Sequence, residues 1–415
     1  MKAFLMAALL LTLGEGGAVK NINFGTLEVK PLISDRQSYE SNIYLTRNAP
    51  KFAWINRGEL GVEFADKVDS RLNRTAIQSF ISDALTRFAD KVGSRLRLTG
   101  GYTMEFLSYS RDISINNVTH HMANLAVEAS LPQNVTATIK DSYVQTTDQA
   151  TSELPTLTHR MQNIAELNMA APLRGKLGFN LAAQHTYNNY LATTFNMLDR
   201  QEMLVGGDVT YRVQPKTQLV LGYRYGVMSY RVPSAKNGDS FYNNLDLGIT
   251  GYITQKLVGT VKAGVQYRRY TESLNQARDR ITTPGYSLQL AWQPVELTDI
   301  IIYGKRSNVE TSVDPASGNS RFYTSTMGDI ALSRQVHKIN AGLGFNYESI
   351  TYAESTAATG KKRLDAYSSV RLTAEYNRQK WFRATAGYIL KSRVSNNNRF
   401  DYRDDIISLE LKGLF

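Results

Sequence analysis

The sequence predicts an all-β chain, folded as one transmembrane, antiparallel up-and-down β-barrel of about eighteen strands, within a range of about sixteen to eighteen. Three observations predict it. Segments of alternating apolar and polar residues recur along the chain, and that alternation marks strands with one apolar and one wet face. Short and long connections between them alternate, as in barrels with short turns on one side of a membrane and longer loops on the other. The chain also opens on an apolar run, Phe4 to Leu13 after Lys2, followed by small residues at Gly16-Gly17-Ala18. That order fits a secretory leader.

Taken in order, residues 1–18 are expected to be a signal peptide cleaved after Ala18, because Gly14 to Gly17 breaks the apolar helix. Residues 19–37 are expected to form an N-terminal periplasmic segment, with the barrel over 38–415. Strands are expected at 38–47, 54–65, 94–110, 120–131, 134–148, 160–172, 175–190, 200–213, 216–231, 241–254, 256–272, 282–293, 297–311, 321–335, 338–353, 364–378, 380–394 and 402–415. An even number puts both termini in the periplasm, and each span can supply the roughly 9–11 residues that cross a bilayer at a tilt. Strand 297–311 is ambiguous, because Ile300-Ile301-Ile302 does not alternate.

One connection is irregular. Phe64 to Leu72 recurs almost verbatim as Phe88 to Leu96, and two copies cannot stack into a solenoid. Between them Ile77, Phe80, Ile81, Ala84, Leu85 and Phe88 follow helical spacing, with Thr75 as a cap. A helical insert over 65–92 is expected in a periplasmic turn, packed on the rim or folded into the mouth.

The phase of alternation separates wall from lumen. Leu219, Leu221, Tyr223, Tyr225 and Val227 are expected to face lipid, as are Ile339, Leu343, Phe345 and Tyr347, because only the wet face of a closed sheet tolerates charge. The opposite phase gives candidate pore-lining residues of both signs. The acids are Glu105, Glu128, Glu166, Asp208, Asp246, Glu348, Glu375 and Glu410; the bases are Arg97, Lys140, Arg212, Arg224, Lys262, Arg268, Arg371 and Arg383. Opposite charges on adjacent strands can pair into ladders that brace the wall, or hold an acidic solute in a conduit. Tyrosines at strand ends, namely Tyr190, Tyr211, Tyr230, Tyr252, Tyr270, Tyr352 and Tyr376, suit two aromatic girdles at headgroup level. Loop cations, densest at Lys361-Lys362-Arg363 and including Arg321 and Arg393, suit lipopolysaccharide phosphates or an acidic polysaccharide.

The final strand alternates Ile407, Leu409, Leu411 and Phe415 against Asp404, Ser408, Glu410 and Lys412. It is similar to the closing strand of an outer-membrane barrel, whose end is read by the barrel-insertion machinery; an edge strand of a soluble sheet is the other reading. Several classes fall away. Mean hydropathy is −0.33, and past the leader no run approaches the ~20 apolar residues of a spanning helix. The net charge of +11 is spread rather than clustered, which argues against nucleic acid. Cysteine is absent, which removes disulfide frameworks and thiol metal sites. No Walker loop, dinucleotide fingerprint, HExxH or EF-hand loop occurs, so no cofactor is expected. The five histidines, His120, His121, His159, His185 and His337, lie in no recognisable catalytic motif.

Tyr39-Glu-Ser-Asn-Ile-Tyr-Leu-Thr46, followed by Gly58-Glu-Leu-Gly-Val-Glu63, resembles the N-terminal segment and first hairpin of the β-barrel porin 2 family; Gly93 to Tyr102 resembles its second hairpin. The resemblance implies an outer-membrane barrel that moves polysaccharide, since family members are associated with exopolysaccharide production. It offers no catalytic residues, and the duplicated segment departs from the family's short turn. The sequence therefore supports a porin-like conduit for a polar solute, with a closed structural or adhesin barrel as alternative and an outer-membrane hydrolase as a weaker one.

Overall fold

The computed structural model describes residues 22–24, 27–66, 95–112, 116–148, 157–173, 175–232, 238–271, 280–311, 321–355, 361–379 and 381–414. Its strands are β1 (Ile22–Phe24), β2 (Leu27–Glu40), β3 (Ala53–Asp66), β4 (Arg95–Tyr109), β5 (Val118–Leu131), β6 (Val135–Thr146), β7 (Arg160–Pro172), β8 (Leu177–Tyr190), β9 (Arg200–Gln214), β10 (Thr217–Tyr230), β11 (Ser240–Thr254), β12 (Leu257–Tyr270), β13 (Arg280–Trp292), β14 (Thr298–Glu310), β15 (Phe322–Val336), β16 (Ile339–Ser355), β17 (Lys362–Gln379), β18 (Phe382–Ser395) and β19 (Tyr402–Leu414). Consecutive strands from β2 onward pair antiparallel, and β19 pairs back on β2 from Ile406↔Glu40 to Leu414↔Leu32. The eighteen strands β2 to β19 thus close a barrel with no free edge.

The wall forms because most strands carry an apolar outer face. Leu219, Leu221, Tyr223, Tyr225 and Val227 of β10 are exposed, as are Leu343, Phe345 and Tyr347 of β16 and Ile407, Leu409 and Leu411 of β19. Short turns gather at one end, and four of them use the left-handed region, two through Gly175 at φ 72° and Leu297 at φ 58°. Gln133 and Asn134 have φ 61° and 60°, and His337 has φ 57°. The inner clusters sit at the other, long-loop end. One joins Ile43, Ala53, Ile55, Leu107 and Tyr109; another joins Tyr323, Ile350 and Tyr352.

The N-terminal boundary differs from the expectation. The first barrel strand is Leu27–Glu40, not 38–47, and 41–52 is a long loop in which Leu45 has φ 48°. Strand β1 also pairs with β2, at Ile22↔Val29, in the column below β19. The segment expected to lie outside the barrel therefore supplies wall. Its pattern hides this, because Leu32 is buried inward while Asp35 and Gln37 share the outer face with Ile33. Pro31 sits between the last pairing with β19 and the first with β1, where a missing N–H is tolerated. Residues 65–66 end β3; the rest of the expected insert and the expected leader lie outside the described residues.

Strands β13 and β14 separate at the long-loop end. Their pairing runs from Trp292↔Ile300 only to Tyr286↔Arg306. Beyond it, Asn308 and Glu310 keep the register parity of the outward Ile300 and Ile302, yet they meet inner side chains of β10, β12 and β13. The ends of β14 and β15 therefore fold across the inside of the wall.

Candidate functional site: the inner wall

Register places all the candidate residues named from the sequence on the inner face of the barrel, but in two environments. Toward the short-turn end, Arg97, Glu128, Lys140, Arg212 and Arg371 are exposed to the lumen. Arg97 stands 3.9 Å from Glu128, and Arg383 stands 3.6 Å from Glu375. Lys140 and Glu166 are Cα partners across β6 and β7. Arg36 Nε donates to Glu410 at 2.9 Å, and Ser325 Oγ donates to Glu348 at 2.6 Å.

The middle of the wall carries a compact ion network. Arg224 lies 3.1 Å from Asp208 and 3.7 Å from Asp246, and Lys262 lies 3.3 Å from Asp208. Each charge faces glycine on a neighbouring strand: Asp208↔Gly222↔Asp246↔Gly264, Gly206↔Arg224 and Gly248↔Lys262. A Cβ at Gly222 would stand 2.3 Å from Asp208 Oδ1, and one at Gly264 2.4 Å from Asp246 Oδ1. The absent side chains let the charged ones lie flat along the wall instead of standing into the lumen.

Two candidates do not meet open water. Glu105 is 4% exposed; it accepts from His120 Nδ1 at 2.6 Å and lies 3.3 Å from Arg57 Nε. Because His120 Nε2 accepts the Thr147 N–H at 2.9 Å, its Nδ1 carries the proton. Arg268 is 3% exposed and is ion-paired with Glu310. Glu310 also accepts from Tyr270 at 2.9 Å and Tyr230 at 3.4 Å, while Tyr242 lies under the Arg268 guanidinium.

Two further expectations are corrected. Tyr190, Tyr230, Tyr270 and Tyr352 are buried on the inner face at the long-loop end. Tyr211 and Tyr376 are exposed on the outer face, in register with Leu219 and Ile339, and Tyr252 is exposed beside a bulge. Tyr230 shares the parity of the inward Arg224 and Tyr270 that of Lys262, so strand phase, and not position at a strand end, decides which face each ring takes. Likewise Arg321, Arg363 and Arg393, read as loop cations, are buried. Arg363 and Arg393 converge on Asp365, and Arg363 packs on the Tyr352 and Phe400 rings. A guanidinium beside a carboxylate and aromatic faces can be buried at a tolerable cost where a solvated loop arginine was expected.

Asp365, Arg57 and Glu310 were missed as inner-wall residues. The glycine network left a legible signal, a glycine two positions from each charge: Gly206-x-Asp208, Gly222-x-Arg224, Asp246-x-Gly248 and Lys262-x-Gly264. The other histidines make separate contacts. His121 bonds Tyr102 Oη at 2.7 Å, His159 lies 3.3 Å from Gln145, His185 is exposed, and His337 forms a turn. In the long loops, Tyr44 Oη donates to Asp112 at 2.8 Å and Lys51 lies 3.4 Å from it. The Tyr44 hydrogen bond, with Lys51 beside it, holds the Asp112 carboxyl below the usual range.

Among solved structures, the chain is similar to OccAB4 of Acinetobacter baumannii, at 10% identity over 93% of this chain and 98% of that one, with a TM-score of 0.47. It is similar at 8% identity to OccAB3 of the same organism, over 93% and 99% with a TM-score of 0.48. The outer membrane protein OpdK of Pseudomonas aeruginosa matches at 8% identity over 93% and 99%, with a TM-score of 0.47. Comparison with curated proteins gives no match. A family model does match, over residues 21–415, and the chain belongs to the family it describes, Putative beta-barrel porin 2.

Proposed function

We propose that this barrel is an outer-membrane conduit for a polar solute, with its short turns in the periplasm, and that the solute is a polysaccharide. The observation that carries the reading is the inner wall between the mouths. Its charges are paired and pressed over glycines at Gly206, Gly222, Gly248 and Gly264, while Arg97, Lys140, Arg212 and Arg371 remain exposed to the lumen. A barrel of this strand number is wide enough for water and a hydrated chain. The wall offers hydrogen bonds of both polarities, which suits a polyhydroxylated chain. Family membership supports the porin reading. In this reading lipid and lipopolysaccharide surround the apolar belt, and the barrel-insertion machinery recognises β19.

The test is the conductance of the purified, refolded protein in planar bilayers. An ohmic pore with weak ion selectivity is expected, because most wall charges are neutralised by neighbours. Silent bilayers from protein shown to be folded by heat-modifiable gel mobility would overturn the conduit.

A further inference from the structure

At the short-turn end, β14 to β17 enclose a recess of ≈ 400 Å³, within the range of roughly 300–1,000 Å³ typical of ligand pockets. Its lining includes Gln293, Asp299, Ser333, Gln335, Asn340 and Asn377. Carboxamides and a hydroxyl stand there beside Asp299, His337 and Lys338, with Leu297 and Ile339 as its apolar members. Each carboxamide has a spare hydrogen-bonding group. Gln293 Nε2 donates to Asp299 at 3.3 Å, Gln335 Nε2 to the His337 carbonyl at 3.3 Å, and Asn377 Nδ2 to Glu375 at 2.6 Å. Those three carbonyl oxygens accept nothing from the described residues, and the Asn340 amide donates to none, while Asn340 Oδ1 accepts from Ser333 at 2.9 Å. The recess thus presents acceptors and a donor at the mouth on exposed side chains.

The wall above it is low on β16. Going up the inner face of β16 from Asn340, the next two inward positions are Gly342 and Gly344, and Asn346 follows. On β15 Ala331 stands above Ser333, with Asp329 next. The Thr373 hydroxyl lies over Gly342 and Arg371 stands beside Gly344, so a low strip edged by these two side chains leads from the recess to polar groups farther up the lumen. A charged solute would call for convergent cations or acids; carboxamides and a hydroxyl, each able to donate and accept, match sugar hydroxyls.

We propose that this recess is a docking site for the uncharged sugar units of a polysaccharide at the periplasmic mouth, and that Gly342 and Gly344 are the start of its track. The proposal rests on the conduit reading for its biological use, but the site can be measured without it. Full-length protein in planar bilayers is exposed to maltohexaose, a neutral oligosaccharide, from either side. Current blockades are expected from the short-turn side. Asn340→Ala with Asn377→Ala should shorten their dwell time by about tenfold, as two or so hydrogen bonds are lost. Gln289→Ala, on the inner face of β13 but outside the recess, should leave dwell time as in wild type. Equal blockade from both sides, or dwell times that ignore the double substitution, would overturn the site. So would blockade by oligogalacturonate, an acidic oligosaccharide, with none by maltohexaose. If the channel is silent, the conduit reading fails by itself, and saturation-transfer NMR of maltohexaose with the micellar protein decides the site. Transfer that Asn340→Ala/Asn377→Ala abolishes supports it, and no transfer overturns it.

Discussion

Glu310→Gln is the sharpest perturbation of the long-loop mouth. Glu310 holds the end of β14 against the inner wall through Arg268, Tyr270 and Tyr230. Glu310 and Arg268 are 4% and 3% exposed, so the substitution leaves a guanidinium with little water to replace its partner. Breaking such a buried pair from one side costs about 3–5 kcal/mol. At about 1.4 kcal/mol per tenfold, the local opening of the β14–β15 ends should rise by roughly two to four orders of magnitude. The cost falls on that overlap, since the pairing of β14 with β13 below Tyr286↔Arg306 is untouched. Amide hydrogen exchange reads it directly: residues 307–311 and 321–325 should lose protection while β6 to β8 keep theirs. Replacing both partners, Arg268→Met with Glu310→Leu, should restore much of the protection, because a paired apolar replacement removes the stranded charge. Unchanged exchange in Glu310→Gln, or a double variant as open as the single, would refute the claim that this ion pair clamps the fold-over.

Gly222→Ala should push Asp208 off the wall, since the new methyl would occupy the place of Asp208 Oδ1 at 2.3 Å; cation-over-anion permeability is expected to change with folding yield unaltered, and unchanged selectivity counts against the glycine network. Leu343→Arg puts a charge on the exposed outer face of β16, at a cost of about 2–4 kcal/mol if that face lies near the bilayer midplane; an unfolding midpoint in lipid equal to wild type would contradict the apolar belt. The Asp112 carboxyl is held below its ordinary value, so its bonds to Tyr44 and Lys51 stabilise loop 41–52 above the unfolded-state pKa and are lost as pH falls through the depressed one. Asp112→Asn should therefore raise amide hydrogen exchange of residues 41–52 at neutral pH, and exchange equal to wild type argues against the latch.

The wall was legible because hydrocarbon imposes one rule on every strand, and β10 and β16 obey it along their length. Strand β2 was not, because the seam reverses the rule: Leu32 is buried inward while Asp35, bonded by Gln37 and Asn56 at 3.0 and 2.9 Å, shares the outer face. A polar cluster that satisfies itself can stand where alternation expects an apolar residue. The inner face posed a different problem. Alternation says which way Arg268 or Tyr230 points, but nothing local says what stands opposite. The answer depends on β14, which returns across the lumen, between Ile302 and Glu310, well after Arg268 in the chain. The ambiguity at Ile300-Ile301-Ile302 was the one local trace of that return. Ile301 turns inward in the row of Val258, Ala291 and Ala331, so β14 is apolar on both faces before it leaves β13. Glycine carries the complementary information. Where two adjacent strands alternate charge with glycine out of phase, as at Gly206-x-Asp208 and Gly222-x-Arg224, register brings each charge over a glycine. That spacing is written in the amino-acid sequence, and it distinguishes a lumen wall whose charges lie flat from one whose charges stand across the passage.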